Sequence, residues 1–150
     1  MWSSTMVVTG LATAWALISV GGGLYVFSVV DPYWPRRPDL IQPSRGGISR
    51  RRFWIPAHVI FELTLIAALI LAWSEPSIRQ WLLIGLASHA TMRIWSAFDF
   101  IPRALAFERT DPAAITEAAA RRWTGRSMLR LPLDLVTCFA MFAAFVGAVA

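Results

Sequence analysis

The chain of 150 residues contains no lysine, a single cysteine and two histidines, and only 15% of its residues are charged. The one cysteine, Cys138, excludes a disulfide framework or a cysteine-based metal motif within one chain, and it is expected as a small packed hydrophobe. Soluble domains average about 25% charged residues. The shortage of charge therefore argues against an ordinary water-soluble domain.

Long apolar blocks fill the space between the few charges: 57% of the residues are hydrophobic, and the mean hydropathy is +0.55. A helix needs about 20 apolar residues to cross a hydrocarbon core about 30 Å thick. Four blocks meet this need. The fold class predicted is all-α, a single transmembrane domain over 1–150 built as an up-down-up-down four-helix bundle. The spans are predicted at about 5–30, 53–73, 78–100 and 126–149.

The first block is interpreted as a retained span, because Met1–Thr5 carries no charged side chain and no suitable cleavage site follows. Gly21-Gly22-Gly23 in its second half would let a neighbouring helix, a ligand or a second copy of the chain approach closely. A homo-oligomer is therefore one open alternative.

Two long polar loops are predicted at 31–52 and 108–125. Prolines and glycines exclude a long helix from the first loop, and its flanking aromatic residues are expected to lie at the membrane interface. Those aromatics are Tyr33, Trp34, Phe53 and Trp54. In the second loop, Asp111-Pro112 favours the start of a short interfacial helix that runs to Trp123.

The arginines are distributed unequally between the two sides of the predicted bundle. Eleven fall in the two long loops and their borders, whereas the opposite side holds Arg79 alone. The eleven are Arg36, Arg37, Arg45, Arg50, Arg51, Arg52, Arg103, Arg109, Arg121, Arg122 and Arg126. This bias predicts cytoplasmic loops in a cell (inner) membrane, with both termini on the non-cytoplasmic side. The basic excess of +5 is thus attributed to orientation, and no nucleic-acid partner is expected.

Three predicted spans each carry a polar pair at spacing i, i+4, which places both side chains on one helix face. Counting from the turns puts all three pairs at a similar depth in the cytoplasmic half of the bundle. Ionisable groups within a membrane are energetically costly and suggest a functional site. The candidate catalytic residues are His58 and Glu62, His89 and Arg93, and Arg130 and Asp134.

Several roles suit this set. A histidine could act as a general base toward a phenol or ketone, with a carboxylate orienting the ring and an arginine stabilising the anion. His58, Glu62 and His89 could bind a metal, or the two histidines a haem. The alternative is structural, with a Glu62–Arg93 clamp between helices and an Arg130–Asp134 bridge. Asp31 and Asp99 are expected as solvated carboxylates at loop ends.

A series of short motifs runs along the chain: Gly21-Gly22-Gly23, Val30-Asp31-Pro32, Phe100-Ile101-Pro102, and Arg122-Trp123, with Arg126 and Arg130 opening the last span. Their order resembles that of the anthrone oxygenase-like family of four-span membrane proteins, largely of unknown function. The resemblance covers nearly the whole chain and implies an oxygenase that acts on anthrone-like aromatic substrates without a cofactor. One departure is Arg103, where members often carry asparagine.

The leading hypothesis is therefore a membrane-embedded oxygenase, or related enzyme, for a small hydrophobic and aromatic substrate. His58 and His89 are the candidate bases. The alternative from another class is a non-catalytic membrane subunit, or a four-helix protein that binds lipid, haem or metal.

Overall fold

The computed structural model describes residues 2–150, and within them it contains helices and no strands. The α-helices are α1 (Ser4–Tyr25), α2 (Arg51–Leu71), α3 (Pro76–Trp95), α4 (Ile101–Arg109), α5 (Glu117–Ser127) and α6 (Leu131–Val149). The π-helical turns Val26–Val30 and Ser96–Phe100 extend α1 and α3, so that α3 runs on into α4. The predicted all-α fold class is confirmed.

Three stretches are long and apolar enough to cross a membrane: Ser4–Val30, Arg51–Leu71 and Glu117–Val149. At most 22% of the residues in their most apolar windows are buried, so these helices present apolar side chains outward. The third predicted span, now α3 with its extension, is not among them. Its polar residues, His89 and Arg93 included, lower its hydropathy.

The second loop differs from the prediction in where its helix begins. Asp111 caps only a single 3₁₀ turn, in which its Oδ1 accepts a hydrogen bond from the Ala113 N–H at 3.0 Å. Ile115 then becomes extended, and the Thr116 hydroxyl caps a new helix by accepting from the Ala119 N–H at 3.3 Å. A second N-cap signal close by thus moves the helix start to Glu117.

The last helix also begins later than the predicted Arg126. A 3₁₀ turn, Met128–Arg130, joins α5 to α6, and Pro132 lies in the first turn of α6. Proline is tolerated there because the first helical N–H groups have no partner within the helix. Pro132 therefore helps to start α6 and does not kink its interior.

Small residues bring the long helices close together. Thr13 of α1 donates a hydrogen bond across to the Met141 carbonyl of α6 at 3.0 Å. Met141 also fills the space where a Cβ of Gly85 in α3 would stand. The buried core here is rich in alanine. It consists of Ala12, Ala16, Phe61, Leu65, Ala68, Ala72, Ile78, Leu82, Ala140, Met141 and Ala144. We call this region the bundle core.

The glycine triplet of α1 has one member in a close contact. The space beside Gly22 is filled by the ring of Phe53, whereas a Cβ added at Gly21 would meet nothing within 4 Å. The triplet predicted that another helix approaches closely. Of these two glycines, Gly22 is the one that permits this approach.

The second core is aromatic and lies where the two long loops meet the helix ends; we call it the aromatic end, formed by Trp34, Phe100, Phe107 and Trp123. The Trp34 ring centroid lies 5.3 Å from that of Phe107 and 5.9 Å from that of Trp123. Trp34 is fully buried within the protein, and its ring is therefore not an exposed anchor. Gln42 fixes the first loop here by donating to the carbonyls of Phe107 and Thr110 at 2.8 and 2.7 Å.

Candidate functional site

Four of the six candidate residues meet between α2 and α3; we call His58, Glu62, His89 and Arg93 the histidine centre. One oxygen of Glu62, Oε1, lies 3.1 Å from His89 Nε2 and accepts a hydrogen bond from Arg93 Nε at 3.0 Å. His89 is buried, whereas the side chains of Glu62 and Arg93 are each 37% exposed. The carboxylate therefore connects a buried imidazole to a guanidinium that reaches the edge of the bundle.

Aromatic contacts fix both imidazole rings. The edge of Phe61 packs on His89 with ring centroids 4.7 Å apart, and Trp54 stacks on His58 at 5.4 Å. The two histidine rings lie 5.6 Å apart. His58 Nδ1 is buried and has no hydrogen-bond partner in the described chain. A buried nitrogen of this kind needs a water or another polar ligand.

A cavity lies beside the two histidines, and all four long helices contribute to it. Its volume is about 10 Å³, counted as space open to the centre of a water molecule. This is close to the minimum of about 10–15 Å³ that holds one water. The lining residues are Ala16, Ser19, His58, Phe61, His89, Asp134 and Thr137.

Arg130 lies outside this cavity, which corrects the prediction of one shared layer for all six residues. Its Nη1 donates to Ser96 Oγ at 2.8 Å, and its Cζ lies 4.4 Å from the ring centroid of Phe100. No ion pair within 4 Å joins Arg130 to Asp134 in residues 2–150. The 3₁₀ turn before α6 explains the separation, because it directs residue 130 toward the aromatic end.

The histidines do not form a metal or haem site in this conformation. Within residues 2–150, no group of three or more His, Cys, Asp or Glu side chains is arranged to hold a metal ion. The Glu62 carboxylate is already engaged, because it accepts a hydrogen bond from the guanidinium of Arg93. A haem between His58 and His89 would need far more space than the cavity offers.

Of the two carboxylates at the loop ends, Asp31 is buried, contrary to the prediction that it is solvated, and Asp99 is half-buried. Asp31 is 8% exposed, and its Oδ1 accepts from Trp34 Nε1 at 2.9 Å. Burial raises the pKa of the Asp31 carboxyl, and the Trp34 hydrogen bond and the charge of Arg50 oppose that rise. Asp99 forms ion pairs with Arg103 and Arg126.

The sequence analysis missed two polar residues that line the cavity, Ser19 and Thr137. Each hydroxyl also bonds to a carbonyl of its own helix, that of Trp15 at 3.0 Å and that of Leu133 at 2.9 Å. Such local bonds are common for serine and threonine in apolar helices. The sequence does contain one signal for Thr137: it follows Asp134 by three residues and therefore lies on the same helix face.

Comparison of the chain with protein-family models, with curated proteins and with solved structures gave no match.

Proposed function

We propose that this chain is an integral membrane protein in which α1, α2, α3 with its extension, and α6 cross the bilayer in an up-down-up-down arrangement. Three of the four helices are apolar enough by themselves. The fourth, α3, exposes apolar side chains such as Leu83, Ile84 and Ile94, and its Arg93 pairs with Glu62 of α2.

The contacts between helices support this arrangement. In α1, Gly10 lies against Phe145 and Thr13 bonds to Met141, so residue numbers rise in α1 as they fall in α6. The same reversal relates α3 to α6, where Gly147 lies near Ile78 while Ser88 bonds to the Leu133 carbonyl at 2.9 Å. With eleven loop arginines against one, the proposed orientation places both termini on the non-cytoplasmic side.

Within this framework we propose that the histidine centre is a general base for a small hydrophobic acid, such as a phenol or an anthrone-like ketone. The carrying observation is the 3.1 Å contact of His89 Nε2 with Glu62 Oε1 beside a cavity shared with His58. The carboxylate favours the tautomer with the proton on Nε2, which leaves Nδ1 free to accept a proton.

The proposed reaction starts when this base removes a proton from the substrate and forms an enolate or phenolate. The resemblance to anthrone oxygenase-like proteins implies that the electron-rich anion reacts directly with molecular oxygen. For an anthrone, the CH₂ carbon becomes a carbonyl: one oxygen atom of O₂ enters the product and the other leaves as water. Arg93, close to Glu62, supplies positive charge near the developing anion.

The small cavity sets a condition on this proposal. A space of about 10 Å³ admits a water and not an aromatic substrate. The structure therefore describes a closed state, and substrate entry requires α1, α2, α3 and α6 to separate at the cavity. Aromatic side chains such as Phe61 would have to move for this to happen.

The experiment measures oxygen consumption by the purified protein in lipid vesicles with an anthrone substrate. His89→Gln should lower the rate by about 10²–10⁴-fold, the usual contribution of a general base. The matched control is Thr91→Val, also on α3, where the hydroxyl is exposed and bonds only to the Ala87 carbonyl of its own helix. Equal rates for wild type and His89→Gln, or no rate above that of empty vesicles, would contradict the proposal.

A second candidate is a non-catalytic role in which the histidine centre holds the bundle together. It is favoured by a specific observation, because Glu62 of α2 binds both His89 and Arg93 of α3 and the cavity beside them is nearly closed. Under this alternative, changing Glu62 lowers stability while the vesicles show no oxygen consumption with any variant.

A further inference from the structure

Four buried polar atoms at or beside the aromatic end have no hydrogen-bond partner in the described chain, against one, His58 Nδ1, in the histidine centre. They are Asp31 Oδ2, Gln42 Oε1, Arg50 Nη2 and Trp123 Nε1. Asp31 and Trp123 are 8% and 7% exposed. Buried polar groups in folded proteins nearly always have hydrogen-bond partners, and three of these orphaned atoms, those of Asp31, Arg50 and Trp123, belong to residues around Trp34, which indicates a ligand there.

Contacts place Asp31, Arg50 and Trp123 around one indole, that of Trp34. The guanidinium of Arg50 lies over two indole rings, with its Cζ 5.8 Å from the ring centroid of Trp34 and 5.1 Å from that of Trp123. Trp34 in turn donates to Asp31, and the two indole rings lie 5.9 Å apart. Arg50, Trp123 and Asp31 are therefore all neighbours of Trp34.

The charges in this region leave two guanidinium groups without a carboxylate partner. In residues 2–150, neither Arg50 nor Arg130 lies within 4 Å of a carboxylate oxygen. The other acidic groups nearby are already engaged, since Glu108 pairs with Arg51 at 2.9 Å and Asp99 pairs with its own arginines. An uncompensated buried charge is costly, so an anion in this space would stabilise the fold.

Arg130 approaches the same region from α6. It packs on Phe100 at 4.4 Å, and the Phe100 ring lies 6.4 Å from that of Trp123. Asp31 is the one acidic group here without an ion pair. Burial raises its pKa, and the Trp34 hydrogen bond and the charges of Arg50 and Arg130 oppose that rise.

We propose that Arg50, Trp123 and Asp31, with Arg130 nearby, form a binding site for a phosphate group at the end of the bundle. Arginine is well suited to this ligand because its planar donors match phosphate oxygens. The site lies directly before the first residue of α2, at the arginine-rich side of the protein. Pockets of this type on the cytoplasmic side of membrane proteins bind the headgroups of anionic lipids.

The test uses the indole N–H signals of ¹⁵N-labelled full-length protein in detergent micelles. Phosphatidylglycerol, phosphatidylcholine and inorganic phosphate are titrated separately. Trp123→Phe identifies the Trp123 signal, because it removes the indole N–H and keeps an aromatic ring at this position. We expect this signal to shift in a saturable way with phosphatidylglycerol and not with phosphatidylcholine. A shift with inorganic phosphate as well would support the site and identify a free anion as a source.

The matched variants are Arg50→Gln and Arg45→Gln, the latter at an exposed arginine of the same loop that has no ion pair in the described chain. Arg50→Gln should weaken the titration about tenfold or more, and Arg45→Gln should leave it unchanged. A Trp123 signal unmoved by both phosphatidylglycerol and phosphate would overturn the proposal, and so would equal weakening by the two variants. The Trp123 titration alone decides the outcome if Arg50→Gln does not fold.

Discussion

The bundle core and the aromatic end are assembled by different physical means. In the bundle core, alanines and Gly85 let helix backbones meet, and side chains such as Thr13 bond directly to a neighbouring helix. In the aromatic end, loop residues such as Trp34 pack large rings together and leave polar atoms unpaired. The first arrangement is typical of helices in a membrane, whereas the second resembles the core of a water-soluble domain.

The difference in how polar groups are paired indicates which ligand is expected in each region. In the histidine centre, His89 and Arg93 share Glu62, and the one buried atom without a partner in residues 2–150, His58 Nδ1, belongs to a residue that lines the water-sized cavity. In the aromatic end, Arg50 is held by rings without a carboxylate contact. The space in the first region therefore suits a ligand no larger than a water, whereas we propose that the second region binds an anion.

The largest expected effect tests whether the aromatic end is a true core. Trp34→Ala should lower the free energy of unfolding by about 3–5 kcal/mol, because a fully buried indole is removed. The measurement is the midpoint of unfolding by sodium dodecyl sulfate in detergent micelles. Trp2→Ala, at a residue that is 82% exposed, is the control and should change the midpoint little. Similar changes in the midpoint for Trp34→Ala and Trp2→Ala would show that the aromatic end is not a true core.

The next prediction concerns the ion pairs of the histidine centre. Glu62→Gln should cost about 2 kcal/mol, because Arg93 and His89 lose their shared carboxylate. This is less than the roughly 3–5 kcal/mol seen for a fully buried pair, since water reaches the 37% exposed side chains of Glu62 and Arg93. The same detergent titration measures it. Glu75→Gln, in the exposed turn between α2 and α3, should be silent; an equal loss there would show that the ion pair contributes nothing.

The close packing of the bundle core is tested at Gly85. Gly85→Ala should lower stability by about 1 kcal/mol, the low end for overpacking, because the new methyl group displaces the flexible end of the Met141 side chain, which is fully buried and has to repack. Gly21→Ala has open space around its Cβ and should be neutral or slightly stabilising. If Gly85→Ala unfolds at the wild-type midpoint, the helices are not in close contact there.

How far the sequence alone predicts this molecule differs between the two regions. Hydropathy predicted the three long apolar helical stretches, and i, i+4 spacing predicted four residues of the histidine centre, because both depend on local periodicity. They failed for Arg130, whose direction depends on the 3₁₀ turn before α6. They failed also for Trp34 and Asp31, because burial of a loop depends on contacts such as that of Gln42 with α4, which no local pattern encodes.

The smallest effect isolates one hydrogen bond between helices. Thr13→Val keeps the shape of the side chain and removes the 3.0 Å bond from Thr13 Oγ1 to the Met141 carbonyl, together with a 2.8 Å bond to the Thr9 carbonyl of its own helix. The expected loss is about 0.6 kcal/mol, the average for hydrogen bonds between helices in a membrane. Thr64→Val is the matched control, since that hydroxyl bonds only within α2, to the carbonyls of Ile60 and Phe61. A larger loss at Thr64 than at Thr13 would mean that small-residue packing, and not the polar contact, joins α1 to α6.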